Sequence, residues 1–587
     1  MPAFYDGQQD YIQKLNEMAE AFRAGPFDSV PKTGGRMTGP LELDVALGVE
    51  SGGTGANTPE GAAANLGLSA PSGVSLVGSA VWYASAVIGF DATKVPDGAA
   101  VIFRGRIAPE DGGGGIFTYI KTSAQTVDGG LVFAPIGGGR LFRAGWTVFG
   151  FHGDATVRMF GSKVDGEADD TSTNQAALNA MAGSVLHLGK GFSVSAGLVI
   201  PNRTTFKGES QKTSGLILTP GSNTDLITNA GLAGSGAVIE KMTLDGNLAN
   251  NATGGTSIRF VTDAATDGPA LVLRHVTLTG ARGDAAGASS FVGGLCWAHL
   301  DNVRYVDNGG ALWLSTNDST IIALFVGNAS LFKDVPGVIV GGSNNQFLGA
   351  YWGGNGDYVM NAQPQVRVWG GRANYFIGCI NDHANGHGYE FADYEGSPAS
   401  NNQIIGGQVT NPGQKEHGVY AHVVNRGNTR GTIISGVYLD NLPGVANQGA
   451  IGILDMENAG ETVVAPCRFG TFTNKAYQLA ATSKVAPGST GLPTHITAPS
   501  GALANMDLNS VPEGAVLRTS STSPLYGLVN ARVGREITVV SMSGTATLEN
   551  LPVQFLRGGV QAEIPENATL TLKCTELGVL REISRSF

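Results

Sequence analysis

The sequence predicts an all-β protein organised around a parallel β-helix, and three observations support this fold class. A five-residue pattern recurs at steps of about thirty residues, at 345–349, 374–378, 402–406 and 431–435. Within each unit, a glycine precedes a second short apolar segment, at Gly356, Gly388, Gly418 and Gly449. No helical period connects the apolar positions, and β-branched and aromatic residues fill them. We therefore expect a solenoid in which each repeat forms one rung and equivalent residues stack in columns.

Composition agrees with short strands joined by tight corners. The chain has 587 residues, which exceeds one compact core and requires either several domains or an elongated repeat body. It contains 87 glycines and only 14% charged residues, and glycine and asparagine adopt positive φ at little cost. The net charge of −11 and the lack of a long basic cluster argue against a nucleic-acid partner.

The sequence also argues against membrane insertion, cofactors and metals. The longest apolar run, 80–90, is too short to span a bilayer, and the first residues lack the basic and apolar regions of a secretory signal. We therefore expect a soluble protein. The four cysteines lie far apart without metal-ligand spacing, so we expect buried small hydrophobic residues at Cys296, Cys379, Cys467 and Cys574.

The first 75 residues contain a helix and a glycine-rich linker. The helix is predicted over 5–24, where apolar residues form a narrow seam and Gly25-Pro26 end it. It either packs on its own chain as a single amphipathic helix or forms a short coiled coil at the axis of an oligomer. The linker carries MTGPL at 37–41, GGTGA at 52–56 and NLGL at 65–68, with no core of its own.

These linker motifs resemble a signature of bacteriophage tail fibres. The resemblance implies that residues 1–75 attach the protein to the virion through other tail or baseplate proteins. The following glycine-rich strands, over 76–155, look like the β-rich adaptor that precedes the β-helix in many tailspikes.

A second signature begins at Phe160, where FGSKVDGEADDT precedes a helix predicted over about 172–181. We interpret Asp169, Asp170 and Thr171 as the cap of this helix rather than as a metal site. The passage resembles the opening of the pectate-lyase-like right-handed parallel β-helices, although Val164 replaces the usual glycine. The resemblance implies a β-helix over 156–486 whose open end is covered by the helix.

The last portion is predicted to be a separate β-domain. Proline and glycine at 487–499 mark its start, and the strands from 516 onward alternate strongly between apolar and polar residues. Its ending resembles the C-terminal trimer-forming segment of tailspikes, although Val579-Leu580 replace a common tryptophan. The resemblance implies that 487–587 form a trimerisation or receptor-binding domain of a homotrimer.

Candidate catalytic residues are carboxylates near the repeat loops, which we expect to stack along one edge. Strand alternation places Glu390 outward between two interior rings, and alignment of the rungs places Tyr420 beside it. An outward carboxylate near Asp382 is a candidate acid or base for glycosidic cleavage, and Asp357 and Asp393 are the nearest further carboxylates.

Candidate substrate-binding residues combine aromatic, imidazole and carboxylate groups, which can stack on sugars and bond to hydroxyls. They are Tyr351, Trp352, His383, Glu416, Tyr420 and Asp440. The alternative is that the asparagine, aspartate and histidine residues only form turns.

The leading hypothesis is therefore a phage tail spike or tail fibre that binds bacterial capsule or lipopolysaccharide at the host surface and cleaves it as a hydrolase or lyase. One alternative is a structural or adhesive tail fibre without catalysis. A further alternative is a free extracellular polysaccharide lyase or epimerase, which would be expected to carry a secretion signal and no attachment region.

Overall fold

The computed structural model describes residues 75–77 and 81–586 with gaps. The gaps are 148–149, 152–153, 232–235, 263–268, 295–296, 354–361, 473, 481, 486–488, 490–494, 498–503, 509–515, 520–524, 530–533, 543–544, 549–553, 557–561 and 577–578. The helix predicted over 5–24, the tail-fibre motifs, Cys296 and Asp357 lie outside the described residues.

The chain divides into two compact units, 1–83 and 84–587. In the first unit, strand Ser75–Val77 pairs antiparallel with the start of strand Val81–Ala86, with Ser75 opposite Tyr83. The second unit begins with an antiparallel sheet whose aromatic side chains pack edge to face, as between Phe103 and Phe117. Its strands are Ala100–Gly105, Gly115–Ile120, Val132–Phe133 and Arg140–Arg143, followed by the pair Trp146–Thr147 and Gly150–Phe151.

A parallel β-helix with three faces follows this sheet. Each rung contributes one short strand to each face, and each strand pairs in parallel with the equivalent strand of the next rung. Face 1 contains Ala155–Thr156, Val185–Gly189, Thr205–Gly208, Ala298–Asp301, Thr320–Ile322, Gln346–Leu348, Tyr375–Ile377, Gln403–Ile405, Ile433–Ser435, Val463–Val464 and Lys484–Val485.

Face 2 follows face 1 in every rung, and face 3 follows face 2. Face 2 contains Gly191–Ser195, Ser214–Leu218, Arg304–Val306, Phe325–Gly327, Tyr351–Gly353, Ile380–Asp382, Gln408–Thr410, Tyr438–Asp440 and Arg468–Phe469. Face 3 contains Leu198–Ile200, Ile227–Asn229, Ile258–Thr262, Ala288–Gly294, Ala311–Ser315, Val338–Gly341, Val366–Trp369, Tyr389–Ala392, Ala421–Asn425, Ile451–Asp455 and Lys475–Gln478.

A single left-handed residue forms the corner between faces 1 and 2 in most rungs. In two early rungs the strand continues through the corner, so Ala237–Asp245 and Leu271–Thr279 each belong to both faces. The corner residue of the second is His275, with a φ of 52°. In the later repeats the corner is glycine, as at Gly378 with a φ of 64°. Glycine takes this conformation without strain. The rungs with a glycine at this corner are therefore the ones that can be recognised as repeats in the sequence.

The interior is filled by stacked like residues. Phe347 and Phe376 stack with centroids 4.8 Å apart. At the corner between faces 3 and 1, the buried amides of Asn345, Asn374 and Asn402 form a ladder, with Asn345 Nδ2 donating to Asn374 Oδ1 at 2.9 Å and Asn374 Nδ2 to Asn402 Oδ1 at 3.0 Å. The ladder satisfies buried polar groups from one rung to the next.

A helix, Thr171–Ala180, packs against the first rungs and follows the 3₁₀ helix Val157–Phe160. The Asp170 side chain makes no cap hydrogen bond, contrary to expectation, whereas the Asp169 carboxylate accepts from the N–H of Thr171, the first helical residue. Its carboxylate instead accepts from the backbone N–H of Lys163 and Val164 and from the Ser193 hydroxyl, which ties the preceding loop to the first rung.

The C-terminal portion forms two sheets over its own core, in which Leu517, Val539 and Leu570 are buried. The larger sheet contains His495–Thr497, Val516–Thr519, Glu536–Ser541, Gln554–Phe555, Thr569–Glu576 and Val579–Arg585, and the smaller one Ala504–Asp507, Leu525–Val529, Ala546–Leu548 and Ala562–Ile564.

The all-β, parallel β-helix class is confirmed. Cys379, Cys467 and Cys574 are buried, as expected. Across the described ranges, no helix combines the length and the apolar character needed to cross a membrane.

Candidate functional site

Five of the predicted site residues lie on or next to face 2. The outward positions of neighbouring strands align Gly353 with Asp382, Asp382 with Thr410, and Thr410 with Asp440. His383 follows Asp382 directly and takes a left-handed φ of 56°, so it forms the corner at the end of the strand. Strands of a sheet lie about 4.8 Å apart, so this row runs along the β-helix axis.

Asp382 and His383 are in close contact at the surface. His383 Nδ1 lies 2.7 Å from Asp382 Oδ1, and the side chains are 38% and 22% exposed. The Thr410 hydroxyl donates to the same oxygen at 2.7 Å, and Asn411 Nδ2 approaches it at 3.5 Å. These contacts fix the carboxylate and orient the imidazole, leaving Nε2 without a hydrogen-bond partner among the described residues.

Tyr351 lies one rung away on the same face. Its hydroxyl oxygen is 2.9 Å from the place that a Cβ on Gly353 would occupy, so the phenol leans across that glycine. Gly353 in turn pairs with Asp382. Burial, and next the charge of Asp382, raise the pKa of Tyr351. The Tyr351 phenol and the Asp382 carboxylate are therefore neighbours on this face.

Asp440 is largely enclosed. It is 8% exposed, and its two oxygens accept hydrogen bonds from the Thr471 backbone N–H and from the Tyr438 hydroxyl. The same hydrogen bond and burial raise the pKa of Tyr438. This carboxylate links successive rungs.

Glu390 points outward as expected, but its carboxylate is not accessible. Its side chain is 3% exposed, with Arg367 Nε 2.5 Å from one oxygen and Arg426 Nη1 3.5 Å from the other. The prediction that Tyr420 lies beside Glu390 is wrong, because Glu390 pairs with Val424 in the next rung. Strand alternation correctly predicted the outward direction of the Glu390 side chain. It did not predict the two arginines that cover the carboxylate, because they are not part of the repeated pattern.

Trp352 does not lie in a loop, contrary to expectation. It is the central residue of strand Tyr351–Gly353, its side chain is fully buried, and its Nε1 donates to the Tyr389 hydroxyl at 2.9 Å. The tryptophan therefore belongs to the interior, where it packs against Phe347.

The remaining predicted residues lie in loops between faces. Glu416 is exposed and Tyr420 half-buried in the loop that enters strand Ala421–Asn425, where the Tyr420 ring meets His387 edge to face at 5.2 Å. Burial lowers the pKa of His387 to about 4. Asp393 accepts from the backbone N–H and the side chain of Asn428, so it fastens the loop after face 3.

Face 3 carries a feature that sequence reasoning missed. Four partly exposed rings follow one another outside the sheet, and we refer to Phe291, Trp313, Trp369 and Tyr394 as the aromatic stripe. The successive centroid distances are 5.7, 5.9 and 4.6 Å. Alternation of buried and partly exposed residues within ALWLS and VRVW is the signal that could have revealed the two tryptophans.

Paired charges border the aromatic stripe at two places. Beside its first ring, Arg259 contacts Phe291 through a cation–π interaction and is ion-paired to Asp225 and Asp284. Beside its third ring, Arg367 lies 5.7 Å from Trp369 and binds Glu390 and Gln363. The stripe is therefore an apolar surface bordered by oriented polar groups.

Within the described part of the chain, no group of three or more histidine, cysteine, aspartate or glutamate side chains is arranged to hold a metal ion.

Comparison with solved structures identifies the architecture. The chain is similar to the full-length tailspike protein 2 of an Escherichia coli O157:H7 bacteriophage, with a TM-score of 0.53 and 15% identity over 84% of this chain and 70% of that one. It is also similar to the enzymatically active domain of tailspike protein 2 of bacteriophage CBA120, with a TM-score of 0.53 and 16% identity over 83% of this chain and 77% of that one. The fold is thus shared with phage tailspikes.

The sequence itself matches no protein-family model and no curated protein.

Proposed function

We propose that this chain is the subunit of a homotrimeric phage tail spike that binds bacterial surface polysaccharide, capsule or lipopolysaccharide, during adsorption and cleaves it. The protein would belong to the virion tail and act at the host surface. Residues 1–75 would attach it to other tail proteins. The shared tailspike architecture supports the spike assignment, and the tail-fibre motifs of the linker agree with it.

The observation that carries polysaccharide binding is the aromatic stripe. Indole and phenyl faces offer large apolar contact area at low entropic cost, and they suit the C–H faces of sugar rings. The ion pairs beside the Phe291 and Trp369 rings add fixed hydrogen-bonding groups of the kind that set orientation in ligand sites. The stripe runs along the β-helix axis, so it would hold several consecutive sugars of a polymer.

Adsorption tests this proposal with a matched control. We expect the double variant Trp313→Ala/Trp369→Ala to bind host capsule or lipopolysaccharide about 100-fold more weakly, from about 1.4 kcal/mol per ring. Trp297 is 40% exposed outside the stripe, so Trp297→Ala should bind like the wild type. Surface plasmon resonance on immobilised host polysaccharide gives both values. Unchanged affinity of a folded double variant would contradict the proposal.

An adhesive spike without catalysis is the second candidate. It is favoured by the engagement of Glu390 and Asp440, whose carboxylates bind arginines, a tyrosine and a backbone N–H rather than solvent. Size-exclusion chromatography of host polysaccharide after incubation separates the candidates, since only a depolymerase shortens the polymer.

A further inference from the structure

We propose that the aromatic stripe, with the ion pairs beside it, selects an uncharged polysaccharide over one that carries carboxylate, phosphate or sulfate groups. The selected polymer would consist of neutral hexoses and their deoxy or N-acetyl derivatives. This inference rests on the proposed function, because a polymer must first bind along the stripe. It makes Asp225, Asp284 and Glu390 specificity-determining residues, since they compensate the arginines that lie against the rings.

The first support is the state of the guanidinium group beside Phe291. Arg259 lies 5.6 Å from the ring centroid, and a guanidinium is the usual partner of a carboxylate or phosphate. Its Nε, however, donates to Asp225 Oδ2 at 2.9 Å, and its Nη2 donates to Asp284. One positive charge therefore already faces two negative charges. An anionic sugar brought to this place would meet a net negative charge.

Both carboxylates are held on Arg259 by further hydrogen bonds. The Thr256 hydroxyl donates to Asp225 Oδ1 at 2.7 Å, and the Ala288 N–H donates to Asp284 Oδ1 at 2.9 Å. All three charged side chains are partly buried, and salt screens partly buried charges less than exposed ones. The compensation of the guanidinium is therefore a fixed property of this surface.

The second support is the state of the guanidinium group beside Trp369. The Arg367 side chain is 17% exposed, its Nε lies 2.5 Å from Glu390 Oε1, and its Nη2 donates to Gln363 at 2.9 Å. An anion of the polymer could take this charge only by displacing Glu390. That carboxylate is enclosed, and Arg426 would remain as its ion-pair partner at 3.5 Å. Removing one partner from a buried ion pair is strongly unfavourable, so Arg367 is not available to an acidic sugar.

The third support is the negative charge next to the last ring of the stripe. Tyr394 is 36% exposed and meets Trp369 at a centroid distance of 4.6 Å. The charge of the adjacent Glu395 raises the pKa of Tyr394, so a neutral phenol lies beside a carboxylate. Like charges brought together at an interface disfavour the wrong partner. An acidic sugar on this ring would therefore be repelled.

An uncharged sugar can use the same groups without this repulsion. Its hydroxyls can donate to the remaining lone pairs of Asp225 and Asp284 and accept from N–H groups of Arg259 that the carboxylates leave unused. Its C–H faces can pack on Phe291 and Trp313. The ion pairs thus supply donors and acceptors at fixed positions and offer an anion no uncompensated cation.

The test uses the full-length protein and matched pairs of purified bacterial polysaccharides. Each pair consists of a native polymer that contains uronic acids and its carbodiimide-reduced form, which has the same backbone without the charge. Host polysaccharide serves as the reference. We expect surface plasmon resonance at low salt to show the reduced form binding about tenfold or more tightly than the native form. The difference should narrow as added salt screens the repulsion.

Two variants locate the effect. Asp284→Asn removes one of the two negative charges on Arg259 and keeps an oxygen for the Ala288 N–H. It should raise the ratio of the native-form affinity to the reduced-form affinity about tenfold. Glu536→Gln removes the same charge from the C-terminal domain, where Glu536 pairs with Lys573, and should leave this ratio unchanged.

Each outcome decides. Tighter binding of the reduced forms, with a ratio that rises in Asp284→Asn and not in Glu536→Gln, supports the inference. Equal or tighter binding of the native acidic forms overturns it while leaving polysaccharide binding intact. A ratio that is the same in Asp284→Asn as in the wild type also overturns it. Binding to no polymer of the panel and to no host polysaccharide overturns the proposed function itself.

Discussion

Faces 2 and 3 contain the same kinds of residue, carboxylates and tryptophans, but differ in which of them are exposed. On face 2, Asp382 is partly exposed and holds a histidine, whereas Glu390 on face 3 is enclosed by two arginines. Trp352 comes from face 2 and points into the interior, whereas Trp313 of face 3 points outward. The comparison teaches that residue type and strand direction do not by themselves define a surface site. What covers the position decides its role.

The largest expected effect is on Trp352. Trp352→Ala should lower the free energy of unfolding by about 4 kcal/mol, because it leaves a cavity in the interior and removes the donor to Tyr389. Trp313→Ala removes a partly exposed ring and should change stability by less than about 1 kcal/mol. Urea unfolding followed by far-ultraviolet circular dichroism measures both. Equal losses for the two variants would break the comparison between the faces.

The carboxylates give the next largest effect. Glu390→Gln should destabilise by about 3 kcal/mol, since Arg367 and Arg426 would lose the anion that compensates them. Asp382→Asn removes a partly exposed charge and should cost about 1 kcal/mol or less. The midpoints of thermal unfolding of the two variants test this difference.

A contrary result would be equally informative. If Glu390→Gln retained wild-type stability but lost depolymerase activity, the enclosed carboxylate would be reacting with substrate after a rearrangement of the arginines. The catalytic site would then belong to face 3.

The fold can be predicted from the sequence because the repeated residues are those that occupy the corners of each rung. Asn345, Asn374 and Asn402 recur since each occupies the same buried ladder, and Gly378 recurs with its equivalents since each is a left-handed corner. These constraints act within one rung and its neighbours. Local pattern is therefore sufficient to reveal them.

The site is less predictable because it depends on contacts between different rungs and faces. The enclosure of Glu390 requires Arg367 from the preceding rung and Arg426 from a later loop. The aromatic stripe arises from strands that show no shared motif, and Trp313 meets Trp369 across an intervening rung. Three-dimensional stacking, rather than spacing, creates both features.

The smallest expected effect concerns the corner that joins face 1 to face 2, where no function is proposed. A Cβ on Gly378 would meet nothing within 4 Å, so Gly378→Ala should cost about 1 kcal/mol from its positive φ alone. Ala323 already occupies the equivalent corner with a φ of 50°, so Ala323→Gly should instead be neutral or stabilise by up to about 1 kcal/mol. Opposite signs of the two changes in urea unfolding would show that corner strain acts independently of the faces. A loss of stability in both variants would show that side-chain packing, and not φ, governs the corner.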